Sequence, residues 1–279
     1  MKKITKSHIS RFKEYLLSEE KSAATLEKYM RDINAFFVWL SGRIPDKQKV
    51  LEYKEHLLSG YAPTSVNSML SSLNSFFDFN EWYDLKVKTL RLQKKIFADE
   101  NKNLTKDEYN RLLKTAKKRK NNRLFLVMQT ICATGIRVSE LKYITVEATK
   151  KGSTVIRCKG KMRQVFLPEN LCRLLSYYIK EHKITSGSIF ITKTGKPLDR
   201  SNVWADMKTL CNDACVSSQK VFPHNLRHLF AKTYYSLQKD IVRLADILGH
   251  SSVNTTRIYT MDTSDIHKKQ IQELGLLLC

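Results

Sequence analysis

Glycine and proline are scarce in this sequence of 279 residues, with 9 and 5 copies. Such low shares exclude collagen-like and low-complexity chains, while 42% hydrophobic residues are enough to form packed cores. No window approaches the roughly 18 uninterrupted apolar residues of a transmembrane helix. The basic N-terminus is not followed by an apolar segment, so we expect no secretory signal and no membrane partner. These absences predict a soluble, cytoplasmic protein.

The cysteines lack the spacing of a metal site or of a disulfide framework. Only Cys211 and Cys215 lie close together in the sequence, and no second Cys/His pair follows at zinc-finger distance. We therefore expect reduced thiols and no metal. The six cysteines are Cys132, Cys158, Cys172, Cys211, Cys215 and Cys279.

Acidic residues are outnumbered, with 27 Asp and Glu against 49 Lys and Arg, which leaves a net charge of +22. Residues 101–279 carry +18 of this excess, whereas residues 1–100 carry +4. A field of this sign attracts polyanions, of which nucleic acid is the commonest. A cationic surface that only keeps the protein soluble would have the same composition. The charge favours a nucleic-acid partner without proving it.

Helical periodicity runs through residues 1–83. Ser22 is suited to cap a helix over 22–40, in which apolar residues recur every three or four positions. Pro63 is suited to open another helix, because proline fits the first helical turn. With two further periodic segments, at 7–20 and 46–59, the sequence predicts an N-terminal domain of four helices.

Residues 84–103 are charged and lack periodicity, which predicts an interdomain linker. The second domain, 104–279, opens at a helix start in which Thr105 precedes Glu108 by three residues, the spacing of a capping box. At about 250–300 residues single cores stop growing, so two domains also fit the length of the chain.

Two β-rich runs in the second domain, 154–158 and 164–167, flank a Lys-Gly-Lys turn and predict one antiparallel strand pair. Helical segments surround it, one of them opened by Pro223. The predicted fold class is mainly α with a small antiparallel β-sheet, an all-helical N-terminal domain being followed by an α+β domain.

Four separated segments of the second domain carry groups suited to phosphodiester chemistry. They are ATGIRVSEL at 133–141, CKGKMRQV at 158–165, PHNLRH at 223–228 and LGHSSVNTTRIYT at 248–260. Negative charge that develops on the non-bridging oxygens can be bound by guanidinium groups, while a tyrosine attacks phosphorus and a lysine protonates the departing oxygen. The candidate residues are Arg137, Lys159, His224, Arg227, His250 and Tyr259.

Each candidate also has a purely structural interpretation. A single Arg or Lys on a turn is usually solvated, and an arbitrary tyrosine is usually a half-buried core residue. His224 and His228 have the i, i+4 spacing of a metal pair, but their segment lacks the glutamate of H-E-x-x-H and no third ligand is evident. Taken singly, none of these residues predicts catalysis.

The order and spacing of these segments resemble the tyrosine recombinase (phage integrase) superfamily, most closely its compact Xer-type members. The resemblance covers essentially the whole chain, and the N-terminal domain resembles the family's core-binding domain. The matching elements are Thr-Gly-hydrophobe-Arg-x-x-Glu-Leu at 134–141, lysine 159, His-x-x-Arg at 224–227, Leu-Gly-His at 248–250 with a tyrosine nine residues later, and Ser-x-x-Thr-x-x-x-Tyr at 22–29.

The resemblance implies that the basic residues bind the scissile phosphate. Arg137 and Arg227 would clamp it, and His224 and His250 would hydrogen-bond it, with His224 able to accept the tyrosine proton. A phosphotyrosine conserves the energy of the broken bond. We therefore expect no ATP, no metal and no other cofactor, which fits the absence of a phosphate-binding loop motif.

The resemblance also implies the covalent chemistry. Tyr259 would form a 3′-phosphotyrosyl bond, and Lys159 would protonate the 5′-oxygen, with Lys161 on the same turn as the alternative acid. Glu140 would support the backbone near Arg137, and His228 is interpreted as structural.

The function implied is site-specific DNA recombination by a catalytic domain at 104–279 and a core-binding domain at 1–83, clamped on double-stranded DNA. A homotetramer on paired sites would exchange strands through a Holliday junction, with a monomer or dimer otherwise, in an Xer-like or invertase-like role. Two alternatives are a type IB topoisomerase, which shares the chemistry, and a non-catalytic DNA-binding factor. Expected DNA contacts in the first domain are Lys28, Arg31, Ser65 and Asn67.

The last twenty residues carry an apolar stripe that is too short to fold alone and must dock on a surface. In relatives such a tail inserts into the neighbouring protomer, and docking on its own domain is the alternative. The stripe comprises Ile266, Ile271, Leu274, Leu277 and Leu278.

Overall fold

The computed structural model describes residues 3–92, 102–158, 161–192, 194–259 and 272–273. Contacts divide the chain into two units, residues 1–94 and 95–279, which we call the N-terminal and the C-terminal unit. None of the helices within the described ranges is long and apolar enough to cross a membrane. The predicted docking tail lies outside these ranges, apart from residues 272–273.

The four helices predicted for the N-terminal unit are confirmed, and their starts follow the expected capping chemistry. The side chain of Ser22 accepts a hydrogen bond from the Thr25 amide, and Pro63 occupies the first turn of its helix. Aliphatic and aromatic side chains form the core, where the Phe12 and Phe76 rings meet edge to face. The helices are α1 (Lys6–Ser18), α2 (Ala23–Leu40), α3 (Lys47–Gly60) and α4 (Pro63–Phe79), followed by a 3-10 turn at Tyr83–Leu85.

The chain beyond α4 stays packed on the N-terminal unit. The Asn74 side chain accepts from the Val87 amide at 3.1 Å and donates to its carbonyl at 2.8 Å. Asn67 pairs with Leu90 in the same way, at 2.7 and 2.9 Å. The first part of the segment 84–103, which lacks helical periodicity, therefore belongs to this unit through side-chain bonds to its backbone.

The C-terminal unit has the predicted strand pair among helices. The two strands are antiparallel, with a register that runs from Ser153 opposite Phe166 to Cys158 opposite Lys161. The second strand starts three residues earlier than the sequence predicts, because Lys161, Met162 and Arg163 also pair with β1. The elements are α5 (Lys106–Lys118), α6 (Asn122–Thr134), a 3-10 helix (Val138–Tyr143), α7 (Val146–Lys151), β1 (Ser153–Cys158), β2 (Lys161–Phe166), α8 (Glu169–Glu181), α9 (Arg200–Thr209), α10 (Pro223–Gln238), α11 (Ile241–Leu248), α12 (Val253–Thr256) and a 3-10 turn (Arg257–Tyr259).

Two local features of this unit concern the start of α5 and the end of α6. The capping box of Thr105 and Glu108 forms as predicted at the start of α5. Helix α6 ends at Gly135, whose φ of +65° favours glycine. A Cβ there would lie 2.4 Å from a ring carbon of Phe230 on α10, so glycine also permits the close approach of α10.

Candidate active site

Arg137 lies directly after the left-handed turn that ends α6, and it begins the 3-10 helix that follows. Its backbone amide donates to Oε2 of Glu140 at 2.7 Å, and its Nη1 donates to Oε1 at 3.1 Å. The side chain of Arg137 is 37% exposed, whereas that of Glu140 is 3% exposed. The carboxylate of Glu140 thus holds the guanidinium of Arg137 in place, while the exposed part of the guanidinium stays accessible to a ligand.

Arg227 joins three of the four sequence segments. It is 1% exposed, and it donates to the carbonyls of Gly135 at 2.5 Å and Leu248 at 2.7 Å. A third bond, of 3.0 Å, connects Nη2 to Nε2 of His250. Burial and then the charge of Arg137 lower the pKa of Arg227 to about 10, so the group stays charged near neutral pH.

Among the described residues, nothing of opposite charge bonds directly to this guanidinium. Its partners there are two carbonyls and an imidazole, and its buried Nε has no hydrogen-bond partner. Buried charges are usually paired, because an uncompensated charge in a low-dielectric interior is costly. The site around Arg227 is therefore built to receive an anion.

The imidazole of His250 has a defined tautomer. A guanidinium can only donate, so Nε2 accepts from Arg227 and the ring proton is on Nδ1, which donates to Oγ1 of Thr256 at 2.8 Å. Desolvation, followed by the charges of Arg227 and Arg137, lowers the pKa of His250 to about 4. The ring is thus neutral near pH 7.

Tyr259 is buried at the end of the chain segment that follows His250, with 4% of its surface exposed. Its ring lies nearly parallel to that of His250, with centroids 6.2 Å apart. Desolvation raises the pKa of Tyr259, although the neighbouring guanidinium of Arg227 and then the charge of Arg137 act in the opposite direction. A cationic pocket alone does not produce a phenolate here, so the tyrosine needs a proton acceptor.

Two further histidines form a row that ends at Tyr259. His224 and His228 meet edge to face at 4.6 Å, and His228 meets the ring of Tyr259 at 4.8 Å. Desolvation and then His224 and Arg227 lower the pKa of His228 to about 4, and the pKa of His224 is also lowered, by desolvation and neighbouring arginines. These lowered pKa values keep both imidazoles neutral near pH 7, each with a lone pair that can accept a hydrogen bond.

An arginine outside the predicted set completes the site. Arg163 on β2 binds Glu140 with two hydrogen bonds, of 3.0 and 2.8 Å. A cleft of about 740 Å³ opens beside Arg137, and its lining includes Ser139, Arg163 and His250. Within the described ranges no group of three or more His, Cys, Asp or Glu residues could hold a metal ion.

Comparison with known proteins decides the family of this chain. The sequence model of the phage integrase family matches residues 102–265, and that of the phage integrase N-terminal SAM-like domain matches residues 9–83. The chain belongs to the phage integrase family. It is 30% identical over 278 residues to tyrosine recombinase XerA of Pyrococcus furiosus, covering 96% of this chain and 94% of the relative. Tyrosine recombinase XerD of Staphylococcus aureus is 28% identical, with 91% of each chain covered.

Solved structures share the fold of this phage integrase family member. A lambda integrase dimer bound to a COC′ core site has a TM-score of 0.76 at 18% identity, covering 93% of this chain and 96% of that chain. XerH bound to a palindromic difH substrate, a post-cleavage complex, has a TM-score of 0.72 at 19% identity, covering 96% and 83%. The fold class, mainly helical with a small antiparallel sheet, is confirmed.

The structure brings together five of the six residues that the phage integrase resemblance singled out. They are Arg137, His224, Arg227, His250 and Tyr259. Lys159, the predicted general acid, lies outside the described residues, so its role stays a prediction. Sequence reasoning missed the contact of His228 with Tyr259, for which the i, i+4 spacing from His224 was the available signal. It also missed Arg163, which lies just before the second predicted β-rich run, 164–167.

Lys28 in the N-terminal unit has an internal role that its sequence position did not reveal. Its Nζ donates to Oδ2 of Asp32 at 2.7 Å, to the Ser68 carbonyl at 2.9 Å and to Oγ of Ser72 at 2.8 Å. Asp32 is 2% exposed, and these bonds join α2 to α4. The ammonium group thus links α2 to α4, and a DNA contact by Lys28 stays a prediction.

The other three expected DNA contacts fall into two classes. The amide of Asn67 is engaged at both ends with the Leu90 backbone, so it too serves the packing of the unit. The side chain of Arg31 is 74% exposed, and Ser65 is also exposed. A DNA contact by Arg31, Ser65 or Asn67 stays a prediction.

Proposed function

We propose that this protein is a site-specific DNA recombinase that cuts and rejoins duplex DNA through a 3′-phosphotyrosyl bond. The observation that carries this proposal is the arrangement around Arg227. One buried guanidinium hydrogen-bonds the segment before Arg137, the Leu-Gly-His turn and His250, and its charge acts on Tyr259, whose pKa it lowers against the effect of burial. A nucleophile held against an unneutralised cationic site is suited to attack a phosphodiester.

The two arginines bind the phosphate in this mechanism. Arg137 presents its exposed face, and Arg227 presents the buried charge that lacks a carboxylate partner. Guanidinium groups bind non-bridging phosphate oxygens through paired, charge-assisted hydrogen bonds. These bonds strengthen as negative charge grows on the oxygens in the transition state, which lowers the barrier.

Cleavage transfers the phosphoryl group from DNA to the protein. Oη of Tyr259 attacks phosphorus and forms the 3′-phosphotyrosyl bond while the bond from phosphorus to the 5′-oxygen breaks. The phenolic proton passes to a neutral imidazole, His228 or His224, and Lys159 gives a proton to the 5′-oxygen. Because burial raises the pKa of Tyr259, the proton acceptor is essential to the step. Attack by a 5′-hydroxyl on the phosphotyrosine reverses it and rejoins the strand.

The assembly in this proposal is a tetramer on two paired sites, exchanging strands through a Holliday junction. A lambda integrase tetramer bound to a Holliday junction has a similar fold, with a TM-score of 0.72 at 19% identity, and this likeness supports the arrangement. The +18 charge of residues 101–279 supports double-stranded DNA as the partner.

Capture of a covalent adduct tests the proposal. The protein is incubated with a randomised pool of nicked duplexes, in which cleavage near the nick releases a short strand and traps the phosphotyrosine. We expect an adduct with the unsubstituted protein and with Tyr234→Phe, a tyrosine of α10 in the same small core, but none with Tyr259→Phe. An adduct with Tyr259→Phe would refute the proposed nucleophile. Relaxation of unrelated supercoiled plasmids would instead favour a type IB topoisomerase.

A further inference from the structure

Arg163 stands on the inner face of the β1–β2 hairpin, where a charge is unexpected. In the register it is opposite Ile156, which is 1% exposed. Outward-facing positions of the same strands hold exposed residues, such as Met162 at 67%. The Arg163 side chain is only 12% exposed. A charge at such a position is costly unless a partner neutralises it, so its presence needs a reason.

The partner of Arg163 is the carboxylate that also holds Arg137. Glu140 receives two hydrogen bonds from Arg163 and two from Arg137. Desolvation opposes its ionisation, but the bonds from Arg163 and Arg137 outweigh this and hold the pKa of Glu140 below its usual value. One ionised, buried carboxylate thereby ties the hairpin to the arginine that faces the cleft.

Gly249 fixes Arg163 from the other side. The glycine has a φ of +64°, and a Cβ on it would lie 2.8 Å from Cδ and 2.9 Å from Nη1 of Arg163. The arginine side chain therefore lies directly on the backbone of the turn that leads into His250. Its position is determined by Glu140 on one side and by this turn on the other.

We propose that Arg163 is a positioning residue: by fixing β1 and β2 against Glu140 and against the turn before His250, it supports the proton transfer to the departing 5′-oxygen that the proposed function assigns to Lys159. The inference rests on the proposed strand cleavage. In the sequence Lys159 follows β1 and Lys161 begins β2, so both lysines are attached to strands that Arg163 anchors. Arg163 acts through the hairpin and not on the phosphate.

A sulfur substitution in the DNA separates proton delivery from phosphate binding. Replacing the bridging 5′-oxygen by sulfur creates a leaving group that departs without protonation. We expect Arg163→Met to form the adduct about 100-fold more slowly on ordinary DNA, but within about threefold of the unsubstituted protein on sulfur-substituted DNA. Arg163→Lys, which keeps one bond to Glu140, should show a smaller defect with the same rescue. The substrate is the duplex recovered by adduct capture.

Arg157→Met is the matched control, because it removes an exposed charge from the same hairpin without touching Glu140. We expect it to cleave both substrates at the rate of the unsubstituted protein. Equal slowing of Arg163→Met and Arg163→Lys on both substrates would overturn the assignment, since it would place Arg163 on the phosphate itself or in support of Arg137. Failure of the unsubstituted protein to form any adduct would instead refute the proposed function.

Discussion

The rings of Tyr259 and His228 meet edge to face, with centroids 4.8 Å apart and planes inclined by 72°. His228 in turn meets His224 at 80°. Because burial holds the pKa of His228 near 4, its imidazole is neutral near pH 7 and has a lone pair available. The resemblance assigned proton acceptance to His224, and this geometry adds His228 as the group in contact with the nucleophile.

Substitution of His228 tests that assignment. We expect His228→Phe, which keeps an aromatic ring against Tyr259, to slow adduct formation about 100-fold while leaving DNA binding unchanged. The defect should shrink as pH rises, because solvent then removes the phenolic proton. Single-turnover rates on the captured duplex between pH 6 and pH 9 measure both effects.

His224→Phe is the comparison for the same experiment. A normal rate for His228→Phe together with a slow His224→Phe would assign proton acceptance to His224 alone. Equal defects would mean that the two imidazoles act in series.

The buried histidines also make stability depend on pH. The pKa values of His228 and His250 fall to about 4 on folding, from 6.5 in the unfolded chain. Between these values the unfolded chain binds more protons than the folded protein, so the free energy of unfolding rises with pH. Stability is fully present above about pH 6.5 and is lost as pH falls toward 4.

Thermal unfolding followed by circular dichroism from pH 4.5 to pH 7.5 checks this sign. We expect the melting temperature to fall with decreasing pH, and to fall less steeply in His228→Phe. His182→Gln, at an exposed position just after α8, should keep the steepness of the unsubstituted protein. A melting temperature that rises as pH falls would contradict the neutral state of both buried rings.

The sequence predicts the residue types of the site but not the way they are joined. Arg227 bonds to carbonyls 92 and 21 residues away, those of Gly135 and Leu248, and a backbone carbonyl leaves no mark in an amino-acid pattern. The raised pKa of Tyr259 likewise follows from burial, which depends on the packing of α10 against the 3-10 turn. The spacing of the motifs predicts which residue types form the site. The protonation states of these residues follow from tertiary packing, which the sequence pattern does not show.

Lys28 and Arg31 show the same limit in the N-terminal unit. Both are basic residues of α2 and look alike in the sequence. Lys28 bonds to the buried Asp32 and to Ser72, whereas the side chain of Arg31 is 74% exposed and reaches Asp32 only at 3.5 Å. Helical periodicity places a residue on a face of its helix. It does not reveal that the facing helix carries a buried partner for a charge.

These two residues give a paired prediction. We expect Lys28→Met to lower the free energy of unfolding by about 1–3 kcal/mol, because the buried Asp32 then keeps only the 3.5 Å contact with the exposed Arg31 as its ion pair. Arg31→Met should leave stability within about 0.5 kcal/mol. Urea unfolding of both variants measures the difference, and loss of stability in Arg31→Met alone would contradict the assignment.

The salt dependence of DNA binding tests the DNA contact predicted for Arg31. If Arg31 neutralises one phosphate, Arg31→Met lowers the slope of log K against log salt by about 0.9 on duplex DNA. An unchanged slope would show that Arg31 faces solvent in the complex. Fluorescence anisotropy of the captured duplex over a range of salt concentrations gives the slope.

Gly135 connects packing to chemistry, because its carbonyl binds Arg227 and its missing side chain admits Phe230. We expect Gly135→Ala to lose about 2–4 kcal/mol of stability, from the positive φ and from overpacking together. It should also slow adduct formation, since relief of the clash displaces the carbonyl that holds Arg227.

Gly152→Ala is the matched control: its φ is +70°, but nothing lies within 4 Å of the added Cβ. It should lose only the backbone contribution, about 1–2 kcal/mol, and keep the rate. Equal losses in the two variants, measured by urea unfolding, would mean that α10 accommodates the methyl group and that this contact does not position Arg227.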